Sequence, residues 1–380
     1  MPHSQSPGAR NHRQSLYFFA GGGTGGHLFP GLTLAMALPS CDPAAESVFI
    51  GSERELEREL VARHQFCHRV LPVEPLPTAR RNPLKFCWRN WRAYRIASGW
   101  LRQERPAAVI GLGGFASVPT VLAASRLGIP TVLLEQNLLP GRATQWLSRR
   151  ADLICLSFSE SAAYFSKAAT TRLTGNPVRP EIARLTAELP SAVSGGRPTL
   201  LVLGGSQGAN SLNAAVARLV ERWPGSFQGW RIIHQTGAQQ APEIRARYAA
   251  LGLETVVEPF FREMVPIYRE ATLVISRAGA TTLAELACVG APAVLVPFPQ
   301  AADNHQLLNA EAYAKAGAAT TVLQAADPET TAARLAEAIL PLLVAESRRA
   351  EMATAMRTQA HPDATGQVLA ALEEIIGRRA

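Results

Sequence analysis

The sequence predicts an α/β protein of two similar domains, each a parallel sheet covered by helices, facing one another across a cleft. Three observations carry that expectation. Short apolar runs alternate with helical patterns along the chain, as strand-helix-strand units require. A strand, a glycine-rich loop and a helix occur in succession twice, at GGGTGGH (21–27) and GGSQGAN (204–210), about half the chain apart. Between them, residues 188–198 (ELPSAVSGGRP) are rich in Pro, Ser and Gly and read as a linker.

In chain order, SLYFFA (15–20) is the first strand. The glycines after it leave almost no side chain, and a helix pattern of Leu28, Leu32, Ala35, Met36 and Pro39 begins at once, with Pro30 tolerated in its first turn. A glycine loop that opens a helix holds phosphate, because the backbone can approach the anion and the free amides point at it. Further strands are expected at 48–51, 108–111, 131–135, 153–156 and 172–174. TLLVL (199–203) restarts the pattern, the second glycine loop follows, and a helix runs over 211–220. Strand-loop-helix units recur at 273–286 and 293–310.

With 47% hydrophobic and 18% charged residues in 380, the chain can bury a large core in two domains. Cys41, Cys67, Cys87, Cys155 and Cys288 form an odd set without a Cys-x-x-Cys pair, which argues against a disulfide framework or structural zinc and for a reducing compartment. His64, Cys67 and His68 lack a fourth metal ligand and read as a surface loop. Residues 1–14 are polar and read as a disordered tail, and the apolar run behind them is too short for an export signal. No run reaches the roughly 18 apolar residues needed to span a bilayer.

Most of the formal charge of +8 sits between Arg80 and Arg105. On a helix there, Leu84, Trp88, Trp91 and Arg95 share one face, and Lys85, Arg89 and Arg92 lie on the neighbouring one. Such faces suit an anionic membrane surface. The same pattern also fits a helix that packs its tryptophans inward and solvates its arginines.

GGGTGG fits the G-x-G-x-x-G fingerprint at Gly21, Gly23 and Gly26, with Glu53 where a dinucleotide enzyme binds ribose, but that reading leaves the second loop without a role. GLGGFASVP (111–119) ends another strand, and ELACVGAP adds a fourth turn of the kind. Glu135, Gln136 and Asn137 stand at a strand's carboxyl end, where such folds place ligands.

Taken together and in order, GGGTGGHLFPGL, GLGGFASVP, EQN, TGNPVR, GGSQGAN, RAGATTLAE and DNHQ make the chain resemble the MurG family of peptidoglycan glycosyltransferases over roughly residues 15 to 375. The resemblance implies a GT-B fold of two Rossmann-like domains. An acceptor-binding and membrane-associating domain would span 15–187, a linker 188–198, a UDP-GlcNAc-binding domain 199–360, and residues 361–380 a helix packing back on the first domain. The implied reaction is inverting transfer of GlcNAc from UDP-GlcNAc to the 4-hydroxyl of MurNAc in undecaprenyl-pyrophosphoryl-MurNAc-pentapeptide (lipid I), forming lipid II. It implies a peripheral protein at the cytoplasmic face of the bacterial plasma membrane, with no cofactor and no nucleic acid, and leaves room for other cell-wall synthesis proteins as partners.

By the same resemblance, Thr24, Gly25 and Gly26 meet the donor sugar nucleotide and Asn137 reaches the GlcNAc. Arg179 and Ser206 contact the nucleotide and its diphosphate, and Phe261 offers a backbone contact to uracil. Ala280, Thr281, Thr282, Leu283, Ala284 and Glu285 line the nucleotide, with Glu285 on the ribose hydroxyls. His305 and Gln306 fall where some members carry two glutamines that read the sugar, and Phe115 stands where a tyrosine is often found. Either departure removes a familiar polar group.

Inverting transfer needs a base. His27, with an ordinary pKa of ~6.5, is one candidate and Glu135 its rival; His27 could equally cap its helix or bind acceptor phosphate. The five aspartates (Asp42, Asp152, Asp303, Asp327, Asp363) include no Asp-x-Asp pair, so no metal is expected, and Arg179 with the helix after GGSQGAN would hold the diphosphate charge. The alternatives are another GT-B enzyme, such as a glycolipid synthase or a UDP-GlcNAc epimerase, and a non-catalytic sugar-nucleotide scaffold. A scaffold needs no such set as His27, Glu135, Asn137, Glu285 and Gln306 around one cleft.

Overall fold

The computed structural model describes residues 15–23, 25–188, 197–204 and 209–379. Thr24, Ser206, the tail 1–14 and linker residues 189–196 lie outside them. Among the described residues, seven strands form one parallel sheet: β1 (Ser15–Gly21), β2 (Ala45–Gly51), β3 (Cys67–Val70), β4 (Ala108–Gly113), β5 (Thr131–Glu135), β6 (Leu153–Leu156) and β7 (Thr171–Leu173), in the order β3-β2-β1-β4-β5-β6-β7. Six form a second: β8 (Thr199–Leu203), β9 (Arg231–Gln235), β10 (Glu254–Glu258), β11 (Ala271–Ser276), β12 (Ala293–Leu295) and β13 (Ala319–Thr321), in the order β10-β9-β8-β11-β12-β13. The order reverses beside β1 and beside β8. That opens a crevice at the carboxyl ends of β1 and β4 and another at β8 and β11, where such sheets bind ligands.

Each central strand is apolar throughout because both faces are covered. Phe18 packs under Val48, Ile50, Ala97 and Leu101 on one face of the first sheet. Phe19 packs with Leu28, Leu32 and Phe49 on the other. The helix Gly25–Ala37 is wedged deeply between its neighbours, with Leu28 and Pro30 to Ala35 buried, and it is exposed at Gly26 in its first turn and at Met36 near its end. The helix Ala364–Gly377 adds Val368, Leu369, Leu372 and Ile375 to that same core. Ion pairs Arg172–Glu374 and Arg379–Asp152 hold its C-terminal end.

Two local expectations change. Residues Cys67–Val70 are a strand, not a loop; as the edge of the sheet they are half exposed and show no apolar run. The chain also joins the second domain early, since Val178, Ile182 and Leu185 pack beneath the second sheet with Leu201 and Val274.

Candidate functional site

Two glycine turns meet backbone to backbone at the end of the first sheet. Gly21 and Gly113 adopt φ of 113° and 98°. A Cβ on Gly21 would lie 2.3 Å from the Gly113 carbonyl oxygen, so no side chain fits there. The Gly22 N–H donates to that carbonyl at 3.4 Å. His27 occupies the first turn of Gly25–Ala37 and lays its ring on Gly113, where an added Cβ would meet Cδ2 at 3.1 Å. Burial, then repulsion from His305, push its pKa down from 6.5 to about 4, while a hydrogen bond to the Gly22 backbone pulls the other way. The imidazole is therefore neutral at ordinary pH. The two rings influence one another across the cleft because they come from opposite domains.

Two residues that the motif reading missed support this loop. Arg54, just before the helix Glu55–Arg63, donates from Nη1 to the Gly23 carbonyl at 2.6 Å and lies 5.7 Å from the centre of the Phe115 ring. Glu57, 1% exposed, accepts the Ser52 N–H at 2.7 Å and its hydroxyl at 2.9 Å, and backs Gly22. The only signal for either was position after a strand's carboxyl end.

Glu135 is buried, and burial pushes its pKa up. Its carboxylate accepts the N–H groups of Asn137 and Gly141, each at 3.0 Å, and so folds the loop between them. That loop presents Asn137 to the second domain. Asn309, fully buried, donates to the Asn137 side-chain oxygen at 3.1 Å and accepts the Leu138 N–H at 2.9 Å. Arg142 makes a two-pronged pair with Asp303, and the Thr281 hydroxyl donates to the Gly26 carbonyl at 3.2 Å. These contacts bring the expected acceptor and donor segments face to face.

In the second domain, the helix Ala280–Val289 follows the Gly279 turn. Thr281, Thr282 and Ala284 are partly accessible, and Ala280 is nearly buried. Helical periodicity turns the Leu283 side chain wholly into the core, leaving its backbone as the part of it open to a ligand. Glu285 accepts Nε and Nη2 of Arg179 at 3.1 and 3.0 Å and the Tyr268 hydroxyl at 2.8 Å. Burial raises its pKa, and Arg179 opposes the rise. The two residues expected at ribose and diphosphate are thus bound to each other. Gln306 accepts the Phe298 N–H at 2.9 Å, leaving its amide N–H groups for other partners. The Phe261 N–H points at Gln235 at 3.4 Å. Arg277, also missed, bonds the Val296 carbonyl, Gln324 and Ser211, tying the start of the helix Asn210–Arg222 to the end of β12.

The basic segment forms the helix Pro83–Glu104, which buries only Ala93, Ala97, Ser98 and Leu101. Its first half stands out: Leu84, Trp88 and Trp91 are 83%, 57% and 57% exposed, so the tryptophans do not pack inward. Lys85 and Arg89 both reach Glu74, at 3.1 and 3.2 Å. Arg92 lies over the Trp88 ring. Trp88, Arg89 and Arg92 with Val70, Pro72 and Glu53 line a groove of about 430 Å³. Among the described residues no helix is long and apolar enough to cross a membrane, and no cluster of three His, Cys, Asp or Glu residues is placed to hold a metal ion.

Residues 17–155 match the glycosyltransferase family 28 N-terminal domain and residues 199–368 the family 28 C-terminal domain. A protein of Desulfotalea psychrophila named UDP-N-acetylglucosamine--N-acetylmuramyl-(pentapeptide) pyrophosphoryl-undecaprenol N-acetylglucosamine transferase is 37% identical over 96% of this chain and 98% of its own. The crystal structure of Acinetobacter baumannii MurG superposes with a TM-score of 0.75 at 29% identity, covering 95% of this chain and 99% of that one. A putative UDP-N-acetylglucosamine 2-epimerase from Listeria monocytogenes gives 0.65 at 15% identity over 95% of this chain and 96% of its own, a likeness of fold alone.

Proposed function

The chain belongs to glycosyltransferase family 28 and within it to the MurG family, and from that premise we infer that it is a hexosyltransferase carrying GlcNAc from UDP-GlcNAc to lipid I to form lipid II for peptidoglycan. The observation that carries the chemistry is His27, neutral and set at the joint of two glycine turns, opposite the donor segment. The MurNAc 4-hydroxyl attacks the anomeric carbon from the face opposite UDP, and His27 takes its proton. His27 is hydrogen-bonded to the Gly22 backbone, and its neutral imidazole is the form that can accept a proton. Glu135 is the weaker candidate, because both of its oxygens hold backbone N–H groups of the loop that carries Asn137. It acts as a positioning residue.

The donor lies along Gly25, Gly26, Thr24 and Asn137 on one side and Ala280 to Glu285 on the other, with Ser206 and Arg179 at the diphosphate. Phe261 meets uracil, Glu285 accepts the ribose hydroxyls, and the free N–H groups of Gln306, with His305 beside it, read the sugar. The negative charge that develops on UDP is held by Arg179 and helix amides in place of a metal. The enzyme works as a peripheral protein at the cytoplasmic face of the plasma membrane, docked through Leu84, Lys85, Trp88, Arg89, Trp91 and Arg92, within reach of other cell-wall synthesis proteins.

The deciding assay offers the purified protein radiolabelled UDP-GlcNAc with either lipid I or diacylglycerol. Label should enter lipid I alone. Labelled diacylglycerol, or free epimerised sugar nucleotide, would overturn the reading.

A further inference from the structure

We propose that Arg54 binds the diphosphate of the lipid-linked acceptor, an inference that rests on the transferase reading above. Its guanidinium is held in place from two sides. Nη1 donates to the Gly23 carbonyl at 2.6 Å, and the plane lies 5.7 Å from the centre of the Phe115 ring. Gly23 belongs to the first glycine turn and Phe115 to the second, so one side chain bridges both. The turns are also locked to each other, since a Cβ on Gly114 would stand 3.0 Å from the Gly22 carbonyl. Behind them the buried Glu57 accepts from Ser52, lies 3.9 Å from His68 Nε2 and supports Gly22.

A guanidinium carries five N–H donors in a rigid fork, and the Gly23 carbonyl uses one of them. Arg54 is exposed, so the remaining donors face solvent at the mouth of the crevice. A fixed fork with spare donors suits two-pronged contact with phosphate oxygens. Position supports the same assignment. His27 lies at the end of this glycine loop, and the acceptor hydroxyl must reach it; the diphosphate on the same sugar must then lie within a few bonds of the loop. Glu53, the residue before Arg54, lines the groove whose apolar residues are Val70, Pro72, Trp88 and Ile96, with Arg89 and Arg92 beside them, so a prenyl chain leaving the clamp meets apolar surface there.

The test compares two short-prenyl, water-soluble acceptors that differ only in a diphosphate or a single phosphate between MurNAc and lipid. With the diphosphate acceptor, Arg54→Ala should raise acceptor KM about 10- to 100-fold, the loss expected for charge-assisted hydrogen bonds. Arg54→Lys, which keeps the charge and loses the fork, should fall between. KM for UDP-GlcNAc should stay within about twofold, and the monophosphate acceptor should be affected much less. Equal losses on both acceptors, a fall in kcat with acceptor KM unchanged, or no change at all would overturn the proposal. Wild-type protein that glycosylates neither acceptor would instead overturn the transferase reading.

Discussion

His27 shows how a single residue inherits its chemistry from backbone it does not choose. Glycine at 113 is what lets the ring sit against the turn, and burial there, with His305 opposite, pushes its pKa down to about 4. His27→Ala should cut turnover by roughly 100- to 10,000-fold with little change in UDP-GlcNAc affinity, measured by steady-state kinetics and calorimetry. The pH profile is a sharper check. With a free-enzyme pKa near 4, the acid limb of kcat/KM should lie well below pH 6.5. The bound diphosphate favours the imidazolium, so the limb of kcat should lie higher than that of kcat/KM. A limb at pH 6.5 in both would show that burial and His305 do not lower the His27 pKa in the working enzyme. Glu285 makes a parallel case. Glu285→Ala strips Arg179 and the Tyr268 hydroxyl of their shared partner, and UDP-GlcNAc binding should weaken by about 1 to 3 kcal/mol by calorimetry. Glu285→Gln, which can still accept from Tyr268, should lose less.

At the level of elements, the helix Pro83–Glu104 divides its cations unequally. Lys85 and Arg89 share Glu74, whereas Arg92 rests on the exposed Trp88 ring. Each basic residue near an anionic surface contributes about 1 kcal/mol, a share that salt screens. Arg92→Glu should therefore reduce flotation with anionic vesicles more than Lys85→Glu does, and Trp88→Ala with Trp91→Ala should weaken the salt-resistant remainder. Equal effects of the two charge reversals would show that Glu74 does not compete with lipid. The elements that could be read from sequence were those whose physics is local. β1 and β8 are apolar runs because both faces are covered, and the glycine turns declare themselves because only glycine tolerates their φ. β9 is not among the expected strands, because Arg231, His234 and Gln235 break its apolar run, yet the His234 ring is buried and bonded to Tyr248 and Asn213 from elsewhere. The same holds for the site. Arg54 on Gly23, Asn309 on Asn137 and Arg179 on Glu285 join residues distant in the chain, and no local pattern announces such a pair.

For the whole molecule, the question is what keeps the two domains face to face. Three of the polar contacts across the cleft, which also holds the edge-on Phe158–Tyr313 pair, differ in kind. Arg142 and Asp303 are 64% and 41% exposed, so their pair is screened by salt and contributes little. Thr281 on Gly26 is a single exposed hydroxyl bond. Asn309 is fully buried and holds Asn137, Leu138 and the Ala278 carbonyl at once. Removing it leaves the Leu138 N–H and the Ala278 carbonyl without this partner, a loss of about 1 to 3 kcal/mol. Asn309→Ala should therefore loosen the closed arrangement, seen as a larger radius of gyration in solution scattering and a raised KM for UDP-GlcNAc at any ionic strength. Asp303→Asn should change both quantities only slightly, and the small change should vanish in high salt. If Asp303→Asn opened the protein as far as Asn309→Ala, closure would rest on the surface ion pair. The buried amide would then be a passenger in the interface, and the loop folded by Glu135 would have no part in bringing donor and acceptor together.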